Sequence, residues 1–539
     1  MAFIRAQFVK KNSAGAIVSG SASLTRSKRV KKPDGKSISA HVVIERLGKV
    51  LWLSDDGKTG VFLSPTRGLV ECRCPEGKFT RVNADDPRLA GTPMAVPEPE
   101  RHVAFGDAWL LFSFLRKSGL LAAVRNAFPE DGDYERVLCH LCCSVLTGKG
   151  SCCDAFMSGS FCSMVLSDVP LPSLRCDSAY FEAAGAFSAK QAFFRAVAEI
   201  MKTREPDFGS ACYVDSTPLP EESLNELAAM CSHGTGEPKK QIRLALVLDE
   251  VSGVPVWFEL LAGNKPDVTT IGDITEEVKE AVGIEIRSAV LDAGYVSAKL
   301  LEAYGTGSGK TFIARMPDRK GYPYRELCDK WKRQLHSASH CFDLRGHWYF
   351  GRKVRREVQG VKVTLYAYVD HDRALSKAEE QRLKHHDEYE KLSPAEKDWF
   401  NVQYGWFVLI TDVNAEPKDL LEQYLARESI EESFRISKQD AGMLPLCKWS
   451  TRAVAGKLLT DVMAAMADGA MNREARKGHS LRDLFLWARS VSCILKGDGT
   501  VSVETPTKQA VKAMENYGMT VPEFVNLAEF RRSILEAKP

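Results

Sequence analysis

The sequence predicts an α/β fold, and three observations carry that expectation. Between residues 208 and 316, short apolar runs alternate with helical stretches in the order β-β-β-α-β-α-β. Ahead of that block, from Phe105 to about Lys202, apolar residues recur at three- and four-residue spacing, the period of helices. Two of the later apolar runs end in an aspartate, Asp215 and Asp292, and open α/β sheets gather catalytic groups at the carboxyl ends of their strands. The 539 residues are enough for three or four units of ~100–200 residues each. With 44% hydrophobic and 27% charged residues the chain has the composition of a globular protein, and its net charge of +3 does not by itself point to nucleic acid.

Residues 1–82 predict a small β-rich unit, with strand-like stretches at 41–46, 50–53 and 60–63 and a turn at Asp55-Asp56-Gly57. A basic run near its start, Arg26, Lys28, Arg29, Lys31 and Lys32, reads as a solvated loop, with phosphate contact the less common alternative. A linker over 83–104 follows, marked by Pro87, Pro93, Pro97 and Pro99. Residues 105–207 form the helical unit, with helices expected at 106–128, 134–146 and 188–202. Cys139, His140, Cys142, Cys143, Cys152 and Cys153 fall in this unit. Their spacing matches no common zinc pattern, so buried thiols explain them more simply.

The core is expected to begin at 208. Strands are predicted at 211–214, 243–248, 254–261, 288–291 and 311–316, with helices at 267–281 and 297–304 and Asp267 as the cap of the first. Two strands ending in Asp215 and Asp292 can lie side by side in such a sheet. A lone aspartate after a strand is an ordinary loop residue; the pair in this order of elements is harder to dismiss. Residues 317–416 read as a β-rich insertion, with strands at 347–353, 362–369 and 406–411 and a charged helix at 376–391. From Arg315 to Arg356 twelve Lys and Arg face four Asp and Glu, interleaved with Tyr322, Tyr324, Trp331, Trp348 and Tyr349. Basic and aromatic groups together suit backbone contact and base stacking, although core packing is the plainer account of any one Trp.

Residues 417–450 supply the last core helix. Pro417 suits its first turn and no breaker appears up to residue 439. Tyr424, Arg427, Glu431 and Lys438 are spaced by three, four and seven residues, which puts all four on one helical face. A carboxylate there can complete a metal site with two strand-end aspartates, while Arg and Lys can hold phosphates. On an isolated helix the same face would simply be a solvated mixture of charges. The tail, 451–539, shows helical patterns at 451–473, 481–490 and 508–517.

The spacing Tyr-x2-Arg-x3-Glu-x6-Lys, met by Tyr424, Arg427, Glu431 and Lys438, resembles the signature of the DDE transposases of the "YREK" insertion-sequence group. Tyr213-Val-Asp215-Ser-Thr217 and Val290-Leu-Asp292-Ala-Gly294-Tyr295 resemble that group's two aspartate motifs, and Gly263-Asn264-x-x-Asp267 a segment often found between them. The chain departs from the pattern at Glu428, where many relatives have an aromatic residue, and in Met443 to Lys448. The resemblance implies an RNase H-like catalytic core interrupted by the β-rich insertion, with the helical unit binding DNA ends. It implies catalytic and metal-binding Asp215, Asp292 and Glu431, and DNA-contacting Tyr424, Arg427 and Lys438. The expected cofactor is Mg²⁺, with Mn²⁺ as a substitute, since hard carboxylates suit these ions. The expected partners are double-stranded DNA, as terminal repeats and target, and a second copy of the chain. Two rivals stand beside this expectation: a domesticated relative that binds DNA without cutting, and an RNase H-like nuclease that does not transpose.

Other classes are disfavoured. Gly305-Thr-Gly-Ser-Gly-Lys310-Thr311 looks like a phosphate-binding loop, but Tyr304 stands where the pattern needs glycine, and the loop runs from helix to strand, so no nucleotide cofactor is expected. No apolar run approaches the ~20 residues of a membrane span, and the N-terminus lacks an apolar leader. Fifteen scattered cysteines suit a reducing compartment, so the expected location is the cytoplasm, at the nucleoid.

Overall fold

Alternating side chains in the first eighty residues make strands whose two faces are both covered. In this computed structural model, β1 (Ala2–Lys11), β2 (Ile17–Lys31), β3 (Ser37–Leu53), β4 (Thr59–Ser64), β5 (Gly68–Arg73) and β6 (Lys78–Arg81) form an antiparallel sheet in sequence order. Successive residues point to opposite faces. Val50 and Phe62 therefore enter one small core with Leu24 and Cys72, while their neighbours Leu51 and Val61 enter another with Leu89. The structure describes all residues except 1, 13–14, 32–36, 65–66, 84–85, 90–100, 149–158, 167–176, 222–224, 232–237, 306–307, 332–336, 429, 432–442, 445, 447, 476–478, 496–499 and 538–539. The basic run expected as a loop is strand instead: Arg26, Lys28, Arg29 and Lys31 lie in β2, and Lys32 is outside the described residues.

Within the expected linker, Arg101–Ala104 forms β7. The helical unit follows, but the helix expected over 106–128 is two, Gly106–Ser118 and Leu120–Ala127. Gly119 between them adopts φ of 86°, a left-handed conformation that glycine takes without steric cost. The helix Asp131–Thr147 buries Cys139, His140, Cys142 and Cys143, in keeping with thiols as core residues. Cys152 and Cys153 are outside the described residues.

The central sheet has ten strands: β8 (Ala211–Pro220), β9 (Ala229–Cys231), β10 (Lys239–Asp249), β11 (Pro255–Ala262), β12 (Ser288–Leu291), β13 (Thr311–Arg315), β14 (Cys341–Leu344), β15 (His347–Val358), β16 (Val361–Asp370) and β17 (Trp406–Thr411). Their order is β11-β10-β8-β12-β13-β17-β16-β15-β14, with β9 pairing β10. β10 pairs antiparallel with both β8 and β11, whereas β12 is parallel to both β8 and β13. The expected insertion thus makes no sheet of its own. β17 pairs antiparallel with β13, and β16, β15 and β14 continue the same sheet outward. The aromatic residues read there as stacking surfaces are partly core: Trp331 and Tyr349 are buried, whereas Trp348 is exposed.

Beyond the core, the long helix Thr451–Glu474 and the helices Leu481–Arg489 and Lys508–Glu515 fall where the sequence places them. The tail also contains β18 (Ser492–Leu495), β19 (Thr500–Val503) and β20 (Phe524–Asn526), which with β7 make a four-stranded sheet in the order β20-β19-β18-β7. Strands of three or four residues are too short to show a two-residue period in sequence. No helix among the described residues is long and apolar enough to cross a membrane.

A charge cluster ties two helices to the β11 edge of the central sheet. Lys190, on the helix Phe187–Lys202, meets Glu259 of β11 at 2.8 Å and Glu277 of the helix Ile271–Val282 at 4.0 Å. Its ammonium group also stands 4.0 Å from the centre of the Trp257 ring, a cation–π contact. Burial, and then the charge of Glu259, push the Glu277 carboxyl up to about 7 against the pull of Lys190. A carboxyl raised in the folded state contributes stability below its ordinary value and loses that contribution as pH rises through about 7. Glu277→Gln should therefore flatten the decline of Tm across that interval in calorimetric scans; an unchanged pH slope would contradict the assignment.

Candidate active site

The sheet register places the first two acids. β12 pairs in parallel with β8 so that Val290 faces Tyr213 and Leu291 faces Val214. The next residue along each path is Asp292 and Asp215, on neighbouring backbones at the usual strand spacing of about 4.8 Å. Asp215 does not end its strand as expected: β8 runs on to Pro220 against β10, and Asp215 marks the point where the parallel pairing stops. Asp292 does end its strand, and a single 3₁₀ turn, Ala293–Tyr295, follows it.

The segment carrying the third acid is not the unbroken helix that its sequence suggests. The helix Pro417–Leu425 gives way to a tight turn at Ala426 and Arg427, with Arg427 N–H donating to Tyr424 O at 3.2 Å, before helical geometry resumes at Glu428. No glycine or proline sits there, so tertiary contacts account for the break. Arg427 Nη1 reaches across to donate to Asp215 Oδ2 at 2.7 Å, while Nη2 donates to Glu431 Oε1 at 3.5 Å. The Arg427 guanidinium also lies 5.5 Å from the centre of the Tyr424 ring. Tyr424, Arg427 and Glu431 are thus neighbours despite the turn; Lys438 is outside the described residues. Tyr424 is buried, and burial, opposed by Arg427, pushes its hydroxyl up to about 12. Glu428, the departure from the family pattern, pairs with Arg345 of the β14–β15 turn at 3.3 Å.

Burial dominates the electrostatics of the site. Burial is the main cause that raises the Asp215 carboxyl to about 6, with the charges of Asp292 and Asp267 adding to it. Arg427 and the N–H of Ser216 act in the opposite direction. Oxygen donors on adjacent strands suit a hard divalent ion, and Arg427 supplies a positive charge to the same carboxylate. Glu431 is mostly exposed and turned to Arg427. Among the described residues, no three His, Cys, Asp or Glu gather into a group that could hold a metal ion. Asp215 and Asp292 thus follow one another across two adjacent strands, whereas the Glu431 carboxylate is turned to Arg427.

Sequence reasoning missed the layer beneath. Asp267, expected as a helix cap, opens a separate 3₁₀ turn, Asp267–Thr269, and its side chain enters the site. It accepts a hydrogen bond from Ser216 Oγ at 2.9 Å and forms a buried ion pair with Arg243 of β10. Arg243 Nη1 also donates to Lys265 O at 2.8 Å. The space is tight: a Cβ on Gly294 would lie 2.9 Å from Asp267 Oδ2, so the residue two places after Asp292 has to be small. Two signals were available, the Gly263-Asn264-x-x-Asp267 segment and a lone arginine within an apolar strand. A cleft of about 1110 Å³ opens nearby, lined by Tyr213, Glu250, Arg345 and Glu428 among others, but none of the three expected catalytic acids lines it.

Residues 206–467, just under half of the chain, match the family described as the transposase DDE domain. No curated protein matches the chain. Among solved structures it is similar to a piggyBac transposase synaptic complex with hairpin DNA, at 11% identity and a TM-score of 0.32, over 80% of this chain and 70% of that one.

The Arg243–Asp267 pair generates a prediction about stability. Removing one partner of a buried pair leaves an uncompensated charge, at a cost of about 3–5 kcal/mol. Arg243→Met should lower the urea midpoint accordingly, and the double variant Arg243→Met with Asp267→Leu should recover much of the loss. Equal destabilisation in the single and double variants would show that the pair is not the source.

Proposed function

We propose that the chain, of which residues 206–467 match a transposase DDE domain, is a DDE-type transposase that performs cut-and-paste transposition at the terminal inverted repeats of its element. The observation that carries this reading is the meeting of Asp215 and Asp292 on adjacent strands with Arg427 and Glu431 from a segment more than a hundred residues later. The sheet order, with three antiparallel strands followed by two parallel ones, supports an RNase H-like core.

Asp215, Asp292 and Glu431 are the proposed ligands of two divalent ions, Mg²⁺ or Mn²⁺. Such ions, when bound, lower the pKa of water and neutralise charge on the attacking and leaving oxygens of an in-line displacement. Arg427 holds Asp215 and Glu431 together while the site waits. Its planar fork matches a phosphate as well as a carboxylate, so an incoming DNA strand competes for it and frees Asp215. Tyr424 packs on the guanidinium and limits where it can go. Lys438 is proposed as a second phosphate contact. Because the same acids serve water and a 3′-hydroxyl nucleophile, one site can hydrolyse the strand and then join it to target DNA. Two ends require two copies of the chain, which makes a homodimer the proposed working form.

The experiment incubates the full chain with duplexes carrying the element's ends, in Mg²⁺ and in Mn²⁺. Asp215→Asn and Glu431→Gln should each abolish cleavage and joining while retaining end binding. Full activity in either variant would remove that residue from the site. Specific binding without cleavage by the unaltered chain would favour the non-cutting rival, and cleavage without joining would favour the nuclease.

A further inference from the structure

The N-terminal sheet does not spread its charge evenly. Residues 1–53, which make β1, β2 and β3, contain eleven Lys and Arg against two Asp and Glu, a net +9, whereas the whole chain nets +3. The rest of the chain is therefore net acidic. Of the two acids, Glu45 is paired with Arg67 at 2.7 Å, and Asp34 lies outside the described residues.

The same strands leave the body of the sheet. β1 covers β2 only as far as Arg26, which pairs with Ala2. β4 covers β3 only from Lys49 to Leu53. From Ser27 opposite His41 to Lys31 opposite Ser37, β2 and β3 pair with each other and with no third strand among the described residues. At about 3.4 Å per residue this two-stranded end is roughly 17 Å long. At its base Val42, Val43 and Ile44 are 45%, 53% and 51% exposed, with Ile44 at a break in the β2–β3 register. Lys28, Arg29 and Lys31 occupy its strand positions.

We propose that this ribbon is a duplex-DNA-binding arm, its cations contacting the phosphate backbone while the two strands lie along a groove. The major groove, ~12 Å wide, admits a two-stranded β-ribbon. Small apolar side chains at the base can pack on sugars without adding charge. A second copy of the same ribbon is the weaker candidate, because two surfaces of high positive charge repel. The proposal rests on the reading of the chain as an enzyme acting on DNA, and adds to it a contact remote in sequence from Asp215, Asp292 and Glu431.

The test measures binding of the full chain to a mixed-sequence duplex of about three turns by fluorescence anisotropy, in EDTA and over a series of salt concentrations. Cleavage plays no part in this readout, so its failure is distinct from failure of the catalytic reading. Each phosphate contact contributes ~0.9 to the slope of log K against log salt. The combined variant Lys28→Thr, Arg29→Thr and Lys31→Thr, which keeps strand-favouring residues, should reduce that slope by about 2–3. Val43→Lys, which adds a cation at an exposed position, should steepen it. Slopes unchanged in both variants, with melting temperatures like that of the parent, would overturn the proposal. Unchanged slopes with a lost dimer in sedimentation would overturn it in favour of self-association.

Discussion

A carboxylate withdrawn from water, with a second carboxylate on the next strand, is costly unless a positive charge stands beside it. Asp215 and Asp292 impose that constraint, and much of the surrounding architecture answers to it. The parallel pairing of β12 with β8 brings the two aspartates together, and it requires the connection through the helix Ile271–Val282. β17 closes the far side by pairing with β13, and after five intervening residues the chain enters the helix Pro417–Leu425. That path delivers Arg427 to Asp215, and the helix yields to a turn at the residue that makes the contact. A lysine there would offer a point charge, whereas the arginine fork holds Asp215 with one arm and Glu431 with the other.

The buried charges around the site are handled in pairs. Arg243 and Asp267 neutralise each other beneath Ser216, so the polar layer under Asp215 adds structure without adding a bare charge. Lys457 and Asp461, one turn apart on the long helix Thr451–Glu474, meet at 2.7 Å, and Lys457 also donates to Met443 O at 2.8 Å. That second bond anchors the chain just beyond the residues that follow Glu431. The Asp215–Arg427 pair, at the edge of the site, joins a strand residue to one that could equally bind phosphate. The site is therefore firm below and exchangeable above, which suits an enzyme that has to admit a charged strand.

How much of this was legible in the sequence depends on the length of each signal. Apolar runs such as 243–248 and 406–411 stood out and lie within or match observed strands, because each carries at least six residues of one pattern. The spacing of Tyr424, Arg427 and Glu431 held as a statement about neighbours, although the helix was broken, since a tight turn shifts the residues by less than a full turn of helix. What failed were contacts between segments far apart in sequence. Asp267 looked like a cap because local pattern cannot reveal a partner on another strand, here Arg243. The insertion looked independent because nothing local announces that β17 will pair with β13. The basic run looked like a loop because lysine and arginine are weak strand formers, and cross-strand pairing overrode that preference.

The central claim is that Asp215 and Asp292 form a cation-seeking pair for which Arg427 provisionally supplies the charge. The most direct test is Mn²⁺ titration of the full chain, without DNA, followed by electron paramagnetic resonance. The account predicts saturable binding that is lost in Asp215→Asn and in Asp292→Asn and tightened in Arg427→Gln, where the competing guanidinium is gone. Mn²⁺ binding unaffected by all three substitutions would contradict it.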